Sequence, residues 1–302
     1  MYKNLLAFAI LLSFAPAAFS AEMSVVSKRP LFRSDQDVKQ VAAVLSHPAV
    51  SLTSLSKSGE NCPLYVFEGD SEKPLQGRCR WQGTQTVVFD PAEPFKPSSK
   101  YRAEIRKGIS SSDGKAVLSK NVSWTFETPR QELLESAPEN NQRWVSSDSN
   151  FFLAFKYPVI PEEISSYLSL KEAGSAKEVP LKVRFAEKKE LDSLWKYYSN
   201  ISTSSAVAVM PGSLEKGKHY VLSVKSGLPA AGSSLGIENE RKIEFETIFP
   251  LKVLRAPKKE CLPYNPEFQF SNPVRYADFI LTRRLRSHLR QAERPPGAIA
   301  WT

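Results

Sequence analysis

Three cysteines and three histidines are the side chains best suited to bond a metal, attack a substrate or carry a proton in this chain. Cys62 and Cys79 stand 17 residues apart and flank one segment, residues 63–78. In an oxidising compartment such a pair reads as a disulfide closing a short loop. On the chain-entropy model that closure stabilises by about 3 kcal/mol. Cys261 is then the odd thiol. Metal coordination is the competing use of the pair, but no histidine or further cysteine sits nearby at ligand spacing. His47, His219 and His288 fall in neither a metal nor a triad spacing. Sequence order alone leaves a Ser/His/Asp triad open, because serines and acids are plentiful. The Gly-x-Ser-x-Gly, phosphate-loop and His-Glu-x-x-His patterns are all missing. Glu187, Glu190 and Asp192 fall on a predicted polar helix face, where solvation is the ordinary role. Asn121-Val-Ser123 and Asn200-Ile-Ser202 match the glycan acceptor pattern, and neither is expected to be used. These observations give no catalytic residue, no metal site, no cofactor and no expectation of an enzyme. Trp81, Trp144, Trp195, Tyr197 and Tyr198 are the aromatics that a binding face would use. Core packing is the preferred role for most of them.

The compartment follows from residues 1–20, MYKNLLAFAILLSFAPAAFS. One lysine precedes an apolar run, and Ala18-Phe19-Ser20 ahead of Ala21 fits a signal peptidase site. The run is short for a bilayer span, and no cysteine follows it to take a lipid. Export to the periplasm or cell envelope is the expectation. The formal charge of +9 is uneven. Lys3 contributes +1, the tail from Ile280 contributes +4 and the 259 residues between carry the other +4. A body so near balance makes no electrostatic case for nucleic acid.

The elements that hold these residues repeat. Residues 96–128 and 216–247 share a pattern at an offset of 119: Tyr101 over Tyr220, Gly108 over Gly227, Phe126 over Phe245, Thr128 over Thr247. In each copy an alternating strand (YRAEI; YVLSV) meets a glycine, then a polar loop, then a second alternating strand. The beginnings echo too. An apolar strand followed by proline occurs at Val41–Pro48, at Phe151–Pro158 and again at Phe268–Pro273. Three beginnings and two endings predict an all-β chain of tandem immunoglobulin-like β-sandwich domains with short helical inserts. The domains run 25–128 and 129–250, after a signal at 1–20. An incomplete third start covers 251–279 and a basic tail 280–302. Helical inserts are expected at 161–170 and 187–198, the second with Leu191, Leu194, Trp195 and Tyr198 on one face. In the tail, Leu281, Leu285 and Leu289 share a helical face among arginines. It is either an amphipathic helix for a membrane surface or sequence read out of frame after a truncating event. The abrupt change of composition inside an unfinished unit favours the latter, so membrane contact is not expected.

Several of these stretches resemble a known family. GRCRW (77–81), Val87-Val-Phe89, Phe95, Tyr101 and the run from Gly108 through Trp124-Thr-Phe126 resemble the first macroglobulin-like domain of bacterial α2-macroglobulins. Residues 184–198, LEKGK (214–218) and 220–227 resemble the next domain, and 268–274 the start of another. The family consists of large periplasmic protease traps, which close around a protease that cuts a bait segment. In many members a thioester, formed within Cys-x-Glu-Gln, captures the protease. Cys62, Cys79 and Cys261 all lack that context here, so no thioester is expected. The resemblance therefore implies the N-terminal arm of a periplasmic protease-trapping inhibitor, without bait or thioester and without trapping activity alone. Its implied partners are proteases or other envelope proteins. The alternative is a free-standing immunoglobulin-like module that binds an envelope polymer or a surface protein.

Overall fold

A computed structural model of the chain describes residues 21–34, 36–51, 53, 63–195, 201–255 and 269–273. It divides into two compact units, Met1–Pro129 and Arg130–Thr302. Both are immunoglobulin-like β-sandwiches, and among the described residues no helix is long and apolar enough to cross a membrane.

The described residues of unit 1 form nine strands: β1 (Ala21–Glu22), β2 (Val25–Arg29), β3 (Val41–Leu45), β4 (Leu64–Glu68), β5 (Gly77–Gln82), β6 (Thr86–Pro91), β7 (Lys100–Ile105), β8 (Ala116–Val117) and β9 (Val122–Glu127). One sheet has the order β2-β3-β6-β5, the facing sheet β4-β7-β9, and β1 pairs with β8. The alternation seen in the sequence becomes the inward rows of the two sheets. Leu45 and Phe89 meet Leu64, Val66, Tyr101 and Phe126 in one buried core. Met23, just after β1, belongs to that core, so the folded region begins ahead of residue 25.

Unit 2 repeats the plan with β10 (Leu133–Ala137), β11 (Gln142–Val145), β12 (Phe151–Phe155), β13 (Leu168–Glu172), β14 (Glu178–Val179), β15 (Leu181–Phe185), β16 (Ala206–Pro211), β17 (His219–Val224) and β18 (Arg241–Thr247). Its sheets run β10-β12-β16-β15 and β11-β18-β17-β13-β14. Phe151, Leu153, Phe155, Leu170, Leu222 and Phe245 fill the space between them. A short ribbon of β19 (Val253–Arg255) and β20 (Gln269–Phe270) follows.

The 119-residue repeat has a physical content that the letters alone do not state. In unit 1 the Tyr101 hydroxyl accepts the Lys96 backbone N–H at 2.8 Å. In unit 2 the Tyr220 hydroxyl accepts the Glu215 N–H at 3.0 Å. The Thr128 hydroxyl donates to the Lys96 carbonyl at 2.8 Å and accepts the Ser99 N–H at 2.9 Å. The Thr247 hydroxyl does the same with the Glu215 carbonyl at 2.7 Å and the Lys218 N–H at 3.0 Å. Tyr101 stacks on Phe126 at 5.4 Å, and Tyr220 on Phe245 at 5.8 Å, both at 21°. These contacts clasp the turn that enters β7 or β17 to the end of β9 or β18. Beyond the first strand, Gly108 (φ 101°) and Gly227 (φ 85°) hold a left-handed conformation that a side chain would oppose. Their N–H groups donate to the carbonyls of Leu118 and Ile237, again 119 apart.

Two expectations change in detail. The insert at 161–170 is helical only over α1 (Pro161–Ile164), with a 3-10 turn over Ser165–Tyr167. Leu168 and Leu170 are spaced for a strand and pair with Val224 and Leu222 in β17. Burial on the sheet wins over helix continuation there. The insert at 187–198 forms α2 over Lys188–Leu194, started by a reciprocal capping box between Glu187 and Glu190. Tyr197 and Tyr198 lie outside the described residues, as do the signal segment 1–20, Cys62, Cys261, residues 256–268 and the tail from residue 274.

Candidate functional site

The residues singled out by chemistry separate in the fold. Cys79 is buried on β5 and engaged in a disulfide. The segment between positions 62 and 79 is not a plain loop. It contains β4 of the three-stranded sheet and then crosses to β5 of the four-stranded one. The His47 ring nitrogen lies 2.9 Å from the Ser46 hydroxyl in unit 1. His219 lies 3.3 Å from the Glu246 carboxylate in unit 2, and His288 is outside the described residues. Among the described residues no group of three or more His, Cys, Asp or Glu side chains is placed to hold a metal ion. Asn121 is tied into its hairpin, its side-chain oxygen accepting the Lys107 N–H at 2.9 Å. Asn200 is outside the described residues.

Glu187 and Glu190 have a structural task, whereas Asp192 is exposed. Glu190 grips the Arg184 guanidinium at 2.6 and 2.9 Å and accepts the Glu187 N–H at 2.8 Å. The Arg184 hydrogen bonds, aided by that backbone N–H, hold its carboxyl down at about 2, and Arg184 is shifted up in return. This pins α2 beside β15. Leu191 and Trp195 are thereby laid against Ala154 and Ala206 on the outer face of the four-stranded sheet. The Tyr101 hydroxyl is pushed up to about 12, chiefly by burial in the clasp of unit 1.

The aromatics divide as well. Trp81 packs against the core of unit 1, and Trp195 is only 9% exposed in unit 2. Trp144 departs from the expected core role: 43% of its surface is open. The cause is a β-bulge in β11. Gln142 lies opposite Phe245 and Val145 opposite Thr247, so three steps on β11 match two on β18. Trp144 takes φ 58° within that bulge, a conformation unusual for a bulky residue. Bulges re-aim side chains in this way. The Arg143 guanidinium sits 5.1 Å from the indole centroid and is itself tied to Glu246 at 2.9 Å. Trp144 then lines a shallow groove of about 450 Å³, together with Pro138, Gln142, Asn150, Phe152 and Leu194. A sequence search for aromatic spacing finds Trp144 but not its exposure, because the bulge leaves no periodic signal.

Comparison with known proteins bears on the fold. A family model described as a bacterial Ig-like domain matches residues 19–128. No curated protein sequence matches the chain. Among solved structures, the N-terminal part of the bacterial S-layer protein SbsC aligns at 12% identity and a TM-score of 0.27, over 74% of this chain and 44% of that one. Native α2-macroglobulin from Escherichia coli, spanning domains MG0-NIE-MG1, aligns at 11% identity and a TM-score of 0.26, over 79% of this chain and 76% of that one. The chain thus spans less than half the length of the first of these, and 27% of the longer SbsC structures.

Proposed function

We propose that this chain is an exported, non-catalytic arm of two immunoglobulin-like domains, of the kind that opens a periplasmic protease-trapping inhibitor of the α2-macroglobulin type. The observation that carries the reading is the duplicated clasp. Tyr101 with Thr128 and Tyr220 with Thr247 close two successive sandwiches by the same hydrogen bonds. A chain built by repeating one rigid hairpin serves as a spacer or a docking surface. The titratable groups that shift most are each accounted for by one local partner or by burial. Beyond β18, the β19–β20 ribbon repeats the strand-before-proline beginning of units 1 and 2. In this reading the partners are proteases or other envelope proteins, and no covalent capture belongs to the arm, which carries no Cys-x-Glu-Gln. Cys62 is the proposed partner of Cys79, with Cys261 free. That bridge would staple the start of β4 to β5 across the two sheets of unit 1.

The test is protection. A protease preincubated with a molar excess of the chain should remain fully open to a large protein inhibitor. A protease that stays active on small substrates yet escapes the large inhibitor would mean that the chain forms a cage, against this proposal.

A second reading, a free-standing module for an envelope polymer or surface protein, is favoured by the groove at Trp144.

A further inference from the structure

We infer that the Trp144 groove of unit 2 is a binding site for a neutral glycan. The inference rests on the second reading above and names the ligand class that it leaves open.

Three features lead to it. The first is the indole. Unit 1 makes the same arginine–glutamate pair with Arg33 and Glu127 that unit 2 makes with Arg143 and Glu246. The residue after the arginine is Ser34 in one and Trp144 in the other. The pair recurs in both units and the indole does not. Unit 2 nevertheless holds Trp144 in a left-handed backbone conformation with 43% of its surface in water. Backbone strain held at an exposed, bulky residue is a feature of ligand clamps. The second feature is charge. A quarter of the chain is charged, 24%, yet among the described residues none that lines the groove is. Among these lining residues a charged ligand finds no counter-ion to repay its desolvation. The third is the mixture of surfaces. Phe152 and Leu194 extend the apolar floor beside the indole. The Gln142 side-chain oxygen accepts the Glu139 N–H at 2.8 Å, and its amide N–H groups remain as donors. Among the described residues, neither the Asn150 carboxamide nor the Trp144 indole N–H has a hydrogen-bond partner.

A flat aromatic surface edged by carboxamides suits a saccharide. Sugar C–H faces lie on the ring, while hydroxyl groups, each both donor and acceptor, meet the amides. A purely apolar ligand would leave those amides unpaired, at a cost. The size fits as well, since small-ligand sites enclose roughly 300–1,000 Å³. Arg143 takes one face of the indole and fixes its plane, so the other face is presented without ordering on binding.

The test titrates the whole chain calorimetrically with cellotetraose, maltotetraose and chitotetraose, and with tetragalacturonic acid as the charged counterpart. At least one neutral tetrasaccharide should bind and the acid should not. Trp144→Gly separates binding from folding, because glycine accepts φ 58° without strain. It should weaken binding about tenfold or more while the melting temperature holds or rises. Asn150→Ala should weaken it by a smaller factor. Failure of all three neutral probes, equal binding of the acid, or unchanged binding by Trp144→Gly would each overturn the assignment. Co-sedimentation with purified cell-wall sacculi distinguishes the two levels. A chain that pellets with sacculi but ignores the tetrasaccharides refutes the neutral-glycan site and leaves a binding module standing. A chain that does neither refutes both.

Discussion

Replacing Thr247 by valine tests whether the clasp holds unit 2 together. Thr247 is fully buried, and valine has nearly its shape, so packing is little changed. The hydroxyl is lost, and with it a 2.7 Å bond to the Glu215 carbonyl and a 3.0 Å bond from the Lys218 N–H. Each backbone group left without a partner costs about 1–3 kcal/mol when buried. Lys218 and Glu215 lie at the edge of the core, where water reaches them in part, so the lower half of the range applies to each. The expected loss is about 2–4 kcal/mol. Thr247→Ser keeps both bonds and sheds one methyl, for about 1 kcal/mol. Native-state hydrogen exchange read on peptides covering 215–222 and 241–247 reports the change locally. A loss below about 0.5 kcal/mol for Thr247→Val, or a larger loss for the serine variant, would refute the clasp as the stabilising device.

Further outcomes follow from the titrating groups and the cysteines. Glu190 should titrate with a midpoint near 2, because Arg184 holds it charged. Its folded value lies below the ordinary 4.5, so the support it gives α2 is complete above pH 4.5 and is lost as pH falls toward 2. Carboxyl NMR shifts measure this, and a midpoint near 4.5 would contradict it. Arg184→Gln should move the midpoint back up. Tyr101 should show no phenolate absorbance until about pH 12, because its hydroxyl is buried in the clasp of unit 1. Its stabilising contribution is full below pH 10 and lost through 12, and early ionisation of all the tyrosines in the folded protein would contradict the assignment. Peptide mapping without reduction should give a Cys62–Cys79 bridge and a free Cys261, and a Cys79–Cys261 peptide would overturn the stapling of β4 to β5.

Much of the framework was legible because β-sandwich strands write their burial as alternation. YRAEI and YVLSV place their inward rows by period alone, and the common offset marked them as one device used twice. The role of Thr128 and Thr247 was not legible. A threonine that ends a strand looks the same whether its hydroxyl faces water or a turn 32 residues upstream. The helix at Pro161 ran too long in the sequence reading because Ile164, Tyr167 and Leu168 satisfy a helical spacing. Leu168 with Leu170 satisfies a strand, and only the partner β17 decides between them. Glu190 looked like one more solvated acid, since its link to Arg184 spans from α2 to β15. Trp144 was visible as a residue, but its exposure comes from a bulge between β11 and a strand a hundred residues later. Long-range register of that kind leaves no local trace.

The central claim is that this chain acts through folded surfaces, without covalent chemistry of its own. Incubation with an excess of active protease, followed by denaturation and intact-mass measurement, tests it most directly. The account predicts the mass of the chain and of its cleavage fragments, with every protease molecule recovered at its own mass. A species that survives denaturation at the summed mass of chain and protease would contradict it.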